Sequence, residues 1–311
     1  MKINSKIYVS GHRGMVGSAI VRKLEFYGYK NIIIRTSSEL DLRDQSAVKA
    51  FFAKENPEYV FMAAAKVGGI NANIKFPVEF LLNNLQIQNN LIEQSYKFNV
   101  KKVIFLGSSC IYPKECRQPM KEEYLFTGPL EPTNEGYGIA KIAGIKLVSY
   151  YRKQYGMNGI SLIPSNLYGP NDSFDPLHSH VLSALVKKIS DAHLIGQDKL
   201  KLWGTGNARR EFLHVDDAAE ASIFMAKNYD SDVIINIGVG EDISIKGLAG
   251  LIASIVGYKG DFVWDITKPD GMMKKCMDVS KMKQMGFSAS IKLEDGIKQM
   301  VEIYKNILNR N

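Results

Sequence analysis

The sequence predicts an α/β fold, a doubly wound parallel sheet carrying a smaller C-terminal lobe. Three observations lead there. Through the first two thirds of the chain, short β-branched or aliphatic runs alternate with longer segments of helical period, the pattern of a parallel sheet covered on both faces. Gly11, Gly14 and Gly17 cluster where the first such run gives way to the first helical segment. Beyond Pro164 the rhythm loosens into residues 166–176, rich in Pro, Asn, Gly and Asp, which is loop chemistry and marks the start of the second lobe.

In order, the strands are expected at 6–10, 31–35, 59–63, 102–106 and 160–164, and the helices at 15–27, 45–55, 77–98 and 137–155. In the third helix Val78, Leu81, Leu82, Leu85 and Ile92 mark one apolar stripe. The fourth has two apolar faces, one of Ile139, Ile142 and Ala143 and one of Ile145 and Val148, so it buries two sides. One meets the sheet; the other meets a second subunit or another part of the same chain. A helix at 215–228 and a strand at 233–237 return to the main sheet. The expected division is therefore 1–164 with 214–238, and a substrate lobe of 165–213 with 239–311.

A length of 311 residues at 45% hydrophobic content suffices for a full core. The apolar runs stop well short of the ~20 residues a membrane-spanning helix needs. Lys2 leads straight into a strand without a secretory leader, so the expected location is cytoplasmic. Three cysteines, irregularly spaced, make neither a disulfide framework nor a zinc site. The net charge of +8 is scattered, with no basic block longer than a pair such as Lys187-Lys188, and suits a small polyanion such as a dinucleotide or sugar nucleotide rather than nucleic acid. His214, Asp216 and Asp217 open a helical segment, where they read as a cap and an inter-lobe tie; no metal is expected.

The stretch Gly11-His12-Arg13-Gly14-Met15-Val16-Gly17 is a phosphate cradle: glycines permit the tight turn and close approach, and the new helix offers free N–H groups to a pyrophosphate. At the end of the second strand, Ile34-Arg35-Thr36-Ser37 stands where NAD-binding folds carry an acid. Arg35, its neighbouring hydroxyls and Arg13 suit a 2′-phosphate, which points to NADPH over NADH. Asp41 and Leu42 meet the adenine ring, or Asp41 caps the following helix.

Tyr137 and Lys141 lie four apart near a helix start and so project from one face. An ammonium beside a phenol of reference pKa ~10 brings its proton transfer nearer neutrality. The preceding unit, residues 105–113, follows a strand and stands at the carboxyl edge of the sheet. There Ser108 can bond a substrate carbonyl, Ser109 can cap a turn, and Cys110 is either a base toward a carbon acid or a buried apolar thiol.

At these residues the chain resembles the extended short-chain dehydrogenase/reductases, which are Rossmann-type, and within them the GDP-L-fucose synthase family. The resemblance runs nearly end to end: 11–17, AAAKVGGI at 63–70, GSSCIYP at 107–113, LEPTNE at 130–135, 137–147, 166–170, Ser179-His180-Val181, REFLHVDD at 210–217 and 268–271. GxxGxxG and YxxxK mark the superfamily; GSSC with a downstream SHV is far more specific. The chain departs from the family at Met272-Met273-Lys274, in place of Thr-Pro-Arg, and at Ser37, where some members carry a second basic residue.

The resemblance implies a two-stage reaction in one site: epimerisation at C3 and C5 of a GDP-4-keto-6-deoxy sugar, then reduction of its ketone with NADP(H). Cys110 would be the base and His180 the acid of the first stage; Tyr137, supported by Lys141, would be the proton donor of the second, with Ser108 orienting the oxygen. It places Leu106, Gly107, Pro164, Ser165, Asn166, Leu167 and His180 at the cofactor. Lys188, Trp203, Arg210 and Lys274 fall on the GDP-sugar, although Trp203 also reads as core and Lys188 as surface. It further implies a homodimer. Two rivals share the cofactor loop: a sugar-nucleotide 4-epimerase or 4,6-dehydratase, and a non-catalytic cofactor-binding protein.

Overall fold

The computed structural model describes residues 1–175, 179–268 and 270–309, so the end of the loop read at 166–176 and position 269 of the 268–271 motif lie outside the described residues. Ile7–Ser10 (β1) is buried throughout and turns into Met15–Phe26 (α1). There follow Ile32–Ile33 (β2), Gln45–Glu55 (α2), Tyr59–Met62 (β3), Ile70–Lys75 (α3), Pro77–Lys97 (α4), Lys102–Leu106 (β4), Glu135–Tyr155 (α5) and Gly159–Pro164 (β5). The second half contains Asn166–Tyr168 (β6), Val181–Leu194 (α6), Lys199–Trp203 (β7), Arg209–Arg210 (β8), Phe212–His214 (β9), Val215–Asn228 (α7), Ile235–Ile237 (β10), Ile243–Ser244 (β11), Ile245–Val256 (α8), Asp261–Asp265 (β12), Lys274–Lys275 (β13), Ser280–Gln284 (α9) and Leu293–Leu308 (α10).

The main sheet has the order β10-β5-β4-β3-β1-β2, every pair parallel. The chain leaves β1 toward β2 and leaves β3 toward β4, so the switch point, where a ligand crevice forms, lies at the carboxyl ends of β1 and β3. One cover of the sheet is α1 packed on α7; the other is α2, α4 and α5 packed in succession. Its core centres on Ile7, Val9, Val60, Phe61, Ile104, Phe105, Ile160 and Leu162. A second core joins α6, α8 and α10 through Leu182, Val186, Ile189, Leu202, Ile252, Ile297 and Val301. The pairs β7–β12 and β6–β9 and the sheet β11-β8-β13, all from the second half of the chain, carry the far wall of the site.

The structure corrects two readings of the sequence. The strand expected at 31–35 pairs only at Ile32 and Ile33, because the Arg35 side chain turns to Glu55 and the Thr36 N–H to the Glu39 carboxylate. On α4, Val78 and Leu82 of the apolar stripe are exposed, and Ile139 of α5 is exposed as well. The buried face of α4 is instead largely polar: Asn84 brackets the backbone of Lys66, Gln88 donates to the Ala140 carbonyl at 2.7 Å, and Asn90 to that of Leu42 at 2.9 Å. Each of these amides is matched to a main-chain group, which offsets its desolvation.

Candidate active site

The carboxyl ends of β1, β3, β4 and β5 open into a cavity of about 1420 Å³ that extends to α6, β7 and β8. Residues 11–16 form its inner wall. Gly14 caps α1 without a side-chain bond, and the first turn carries no acid, so the helix's free N–H groups meet the cavity uncovered. A Cβ on Gly17 would stand 2.2 Å from the Gly11 carbonyl oxygen, so only glycine lets the helix sit this tightly on its turn. This cradle fits the pyrophosphate of a dinucleotide.

At the adenosine end, Arg13 is exposed and lines the cavity with Thr36 and Ser37. Arg35 also lines it, but its guanidinium is ion-paired with Glu55 at 2.5 Å and donates to the Ile34 carbonyl at 2.6 Å. Asp41 and Leu42 are at the wall. Asp41 does not cap α2: it is held by Arg43 at 2.8 Å, and that bond keeps its carboxyl down at about 2. The cap is Asp44, which accepts from the Ser46 and Ala47 N–H groups at 2.8 and 3.1 Å.

Leu106, Gly107, Ser108, Cys110, Tyr137 and Lys141 line the middle of the cavity. The Ser108 hydroxyl accepts from the Cys110 N–H at 3.3 Å and so caps the short turn Ser109–Ile111; Ser109 itself is buried. Cys110 is half-buried, with Asn134 Nδ2 at 3.2 Å and Lys275 Nζ at 3.5 Å from its sulfur. Gly138 opens the way for this arrangement, since a Cβ there would lie 2.9 Å from the Cys110 carbonyl. The Lys141 ammonium is buried, donates to the Leu106 carbonyl at 2.8 Å and lies 5.7 Å from the Tyr137 ring centre. Burial pushes its pKa down to about 8. The Tyr137 phenol moves opposite to the expectation: burial and the nearby Cys110 raise it, and the Ser108 hydrogen bond offsets this only in part. Lys141 spends its nearest bond on a carbonyl, so Tyr137 is a protonated donor at neutral pH.

Pro164, Ser165, Asn166 and Leu167 continue the wall where β5 passes into β6, and His180 stands at the N-terminal cap of α6 with its Nδ1 3.5 Å from Asp172. Lys188 and Arg210 reach the far end. Trp203 is 49% exposed, so it is not core; the Lys188 and Lys268 ammonium groups each lie 5.6 Å from its ring centre. Arg210 donates to the Asp270 carbonyl at 3.0 Å, and burial lowers its pKa.

Two predicted ligand contacts do not line the cavity: Gly17, buried against the Gly11 turn, and Lys274, which pairs outward with Asp242 at 3.1 Å while Lys275 lines the wall in its place. The sequence reading also missed Asn134 and Glu211, though both lie in quoted motifs. Glu211 is fully buried yet outside the cavity wall, accepting from the N–H groups of Val239 at 2.5 Å, Gly240 at 3.0 Å and Met277 at 2.6 Å. Burial raises its pKa. His214 Nδ1 accepts from the Asp216 N–H at 3.2 Å, its Nε2 meets Gln299 at 2.8 Å, and Asp217 accepts from the N–H groups of Ser290 and Ile291 at 3.0 and 2.8 Å. These are capping and tethering bonds, and among the described residues no cluster suited to a metal ion is found.

Comparison with known proteins agrees with this geometry. A family model for the NAD dependent epimerase/dehydratase family matches residues 7–238. GDP-L-fucose synthase 1 of Arabidopsis thaliana is 51% identical over 308 residues, 99% of this chain and 95% of that protein. The solved structure of a GDP-6-OMe-4-keto-L-xylo-heptose reductase from C. jejuni superposes with a TM-score of 0.94 at 40% identity, covering 99% of each chain. A GDP-L-fucose synthetase from Naegleria fowleri bound to NADP superposes with a TM-score of 0.91 at 31% identity, covering 99% of this chain and 96% of that one. Family match, near-complete relatives and the doubly wound sheet agree, and the chain belongs to the NAD dependent epimerase/dehydratase family, among the GDP-L-fucose synthases.

Proposed function

We propose that this enzyme converts GDP-4-keto-6-deoxy-D-mannose to GDP-L-fucose by 3,5-epimerisation followed by NADPH-dependent reduction of the 4-ketone. The observation that carries the reading is the meeting of Cys110, His180, Tyr137 and Lys141 on one cavity continuous with the glycine cradle. A 51% identical relative named GDP-L-fucose synthase and a superposable synthetase bound to NADP support it.

The ketone acidifies the hydrogens at C3 and C5. Cys110 takes one as a thiolate base, the C–H electron pair passing into the carbonyl as an enolate; His180 returns a proton from the opposite face, and proton exchange with water resets both groups before the second centre reacts. Asp172, beside Nδ1, orients that ring. NADPH, when bound, supplies the hydride for C4. Tyr137 then gives its phenolic proton to the forming alkoxide, Ser108 orients the oxygen, and Lys141, fixed on the Leu106 carbonyl, holds the cofactor ribose. Arg13 and the Ser37 hydroxyl receive the 2′-phosphate, because Arg35 is committed to Glu55 and the Thr36 hydroxyl to Glu39. Arg210 and Lys188 neutralise the diphosphate and Trp203 covers the nucleoside.

Residues 1–164 with 214–238 hold the cofactor, and 165–213 with 239–311 the sugar nucleotide. The enzyme works in the cytoplasm, among soluble cofactor and substrate, as a homodimer joined across α4 and α5. The exposed Val78, Leu82, Ile139, Tyr150 and Tyr155 on those helices support that interface.

A related GDP-4-keto sugar is a second reading, favoured by the superposition on the heptose reductase. Both are tested by adding GDP-4-keto-6-deoxy-D-mannose and NADPH in D₂O, beside a Cys110→Ser variant. NADPH oxidation with deuterium at C3 and C5, lost from those positions in the variant, is the expected result. NADPH oxidation without deuterium would make the enzyme a plain reductase, and no turnover would point to the other sugar.

A further inference from the structure

Resting on the proposed role of Cys110, we infer that Lys275 is the cation that holds the Cys110 thiolate, a positioning residue acting through the sulfur. Strand pairing supplies the first argument. β13 runs parallel to β8 with Lys274 beside Arg209 and Lys275 beside Arg210, and in a strand successive side chains take opposite faces. Lys274 and Arg209 share one face and one acceptor, Asp242. Lys275 and Arg210 therefore share the other face, and both line the cavity.

The second argument is the surroundings of the sulfur. Lys275 Nζ lies 3.5 Å from Sγ, and its side chain belongs to a residue only 9% exposed. Among the described residues Lys275 pairs with no carboxylate, whereas Lys274 pairs with Asp242. An ammonium brought this far from water without a carboxylate is best matched by an anion formed beside it. Among the described residues, the charged and titratable groups that act on Cys110 are Tyr137 from α5, Arg210 from β8 and Lys275 from β13, and the Glu131 carboxylate, on the turn that carries Asn134, acts electrostatically on Arg210. Arg210 is engaged by the Asp270 and Arg209 carbonyls, which leaves Lys275 the cation in contact with sulfur.

In the abstraction step the S–H bond forms as the substrate C–H bond breaks, and Lys275 keeps its proton throughout. Its contribution is to hold the sulfur ionised beforehand. The test is iodoacetamide alkylation of Cys110 as a function of pH, read by peptide mass spectrometry so that Cys116 and Cys276 are counted apart. An opposite charge within 4–6 Å shifts a pKa by 1–3 units, so Lys275→Met is expected to move the alkylation profile up by at least ~1 unit, about tenfold slower at pH 7. Lys275→Arg restores it. An unmoved profile in folded Lys275→Met, or in Lys275→Gln should the first variant not fold, overturns the assignment. Because alkylation needs no substrate, a shifted profile in a protein that fails to turn over the keto sugar would sink the proposed reaction and leave the ion pair standing.

Discussion

Tyr137 and Lys141 show how two neighbours can be tuned in opposite senses by one cause. Burial disfavours charge, so it raises the phenol and lowers the ammonium. For Lys141 the folded value of about 8 lies below the ordinary 10.5, so between those values the unfolded chain binds more protons and stability from this site rises with pH. Lys141→Met removes that term. Its melting temperature relative to the parent is expected to be most favourable near pH 7 and to fall behind as pH rises to 9, while NADPH oxidation drops at least ~100-fold. A difference in melting temperature that stays constant with pH would refute the depressed ammonium. At this scale the sequence was most informative where a motif is contiguous: the cradle and the YxxxK pair lie within one turn and can be read directly. Lys275 was not legible, because the phase of a two-residue strand is set by its partner β8 and not by its own residues.

At the level of the element, capping settles what periodicity leaves open. Asp41 and Asp44 both precede α2, and only the backbone geometry decides that Asp44 holds the helix end while Asp41 answers to Arg43. Asp44→Ala is expected to cost about 1 kcal/mol in urea unfolding, whereas Asp41→Ala leaves the cap intact and costs less. Equal losses would mean that the cap is not what Asp44 contributes. Helices α2, α4 and α5 were legible because their apolar period is sustained. The face that α4 buries was not, since Asn84, Gln88 and Asn90 are accommodated by carbonyls and N–H groups from distant segments, which no periodicity encodes.

For the whole molecule, the alternation of strands and helices was enough to fix a doubly wound sheet and so to place a crevice at the carboxyl ends of β1 and β3. Part of the far wall was harder, because it is assembled from the two-residue strands β8, β11 and β13. The apolar surface of α4 and α5 makes the prediction for assembly. Light scattering is expected to give twice the chain mass of 34.8 kDa, and Leu82→Glu with Ile139→Glu to return it to one chain. A parent protein that already runs as a single chain would rule out the dimer.

Glu211 bears on how tolerance to change should be read in this molecule. One carboxylate gathers the main chain after β10 and the main chain after β13, and its own backbone carbonyl receives the Asn166 amide. These main-chain segments therefore share a fastening that lies outside the cavity wall. Position 211 will be as unforgiving as any acid or base of the reaction, and intolerance there reports architecture, not chemistry.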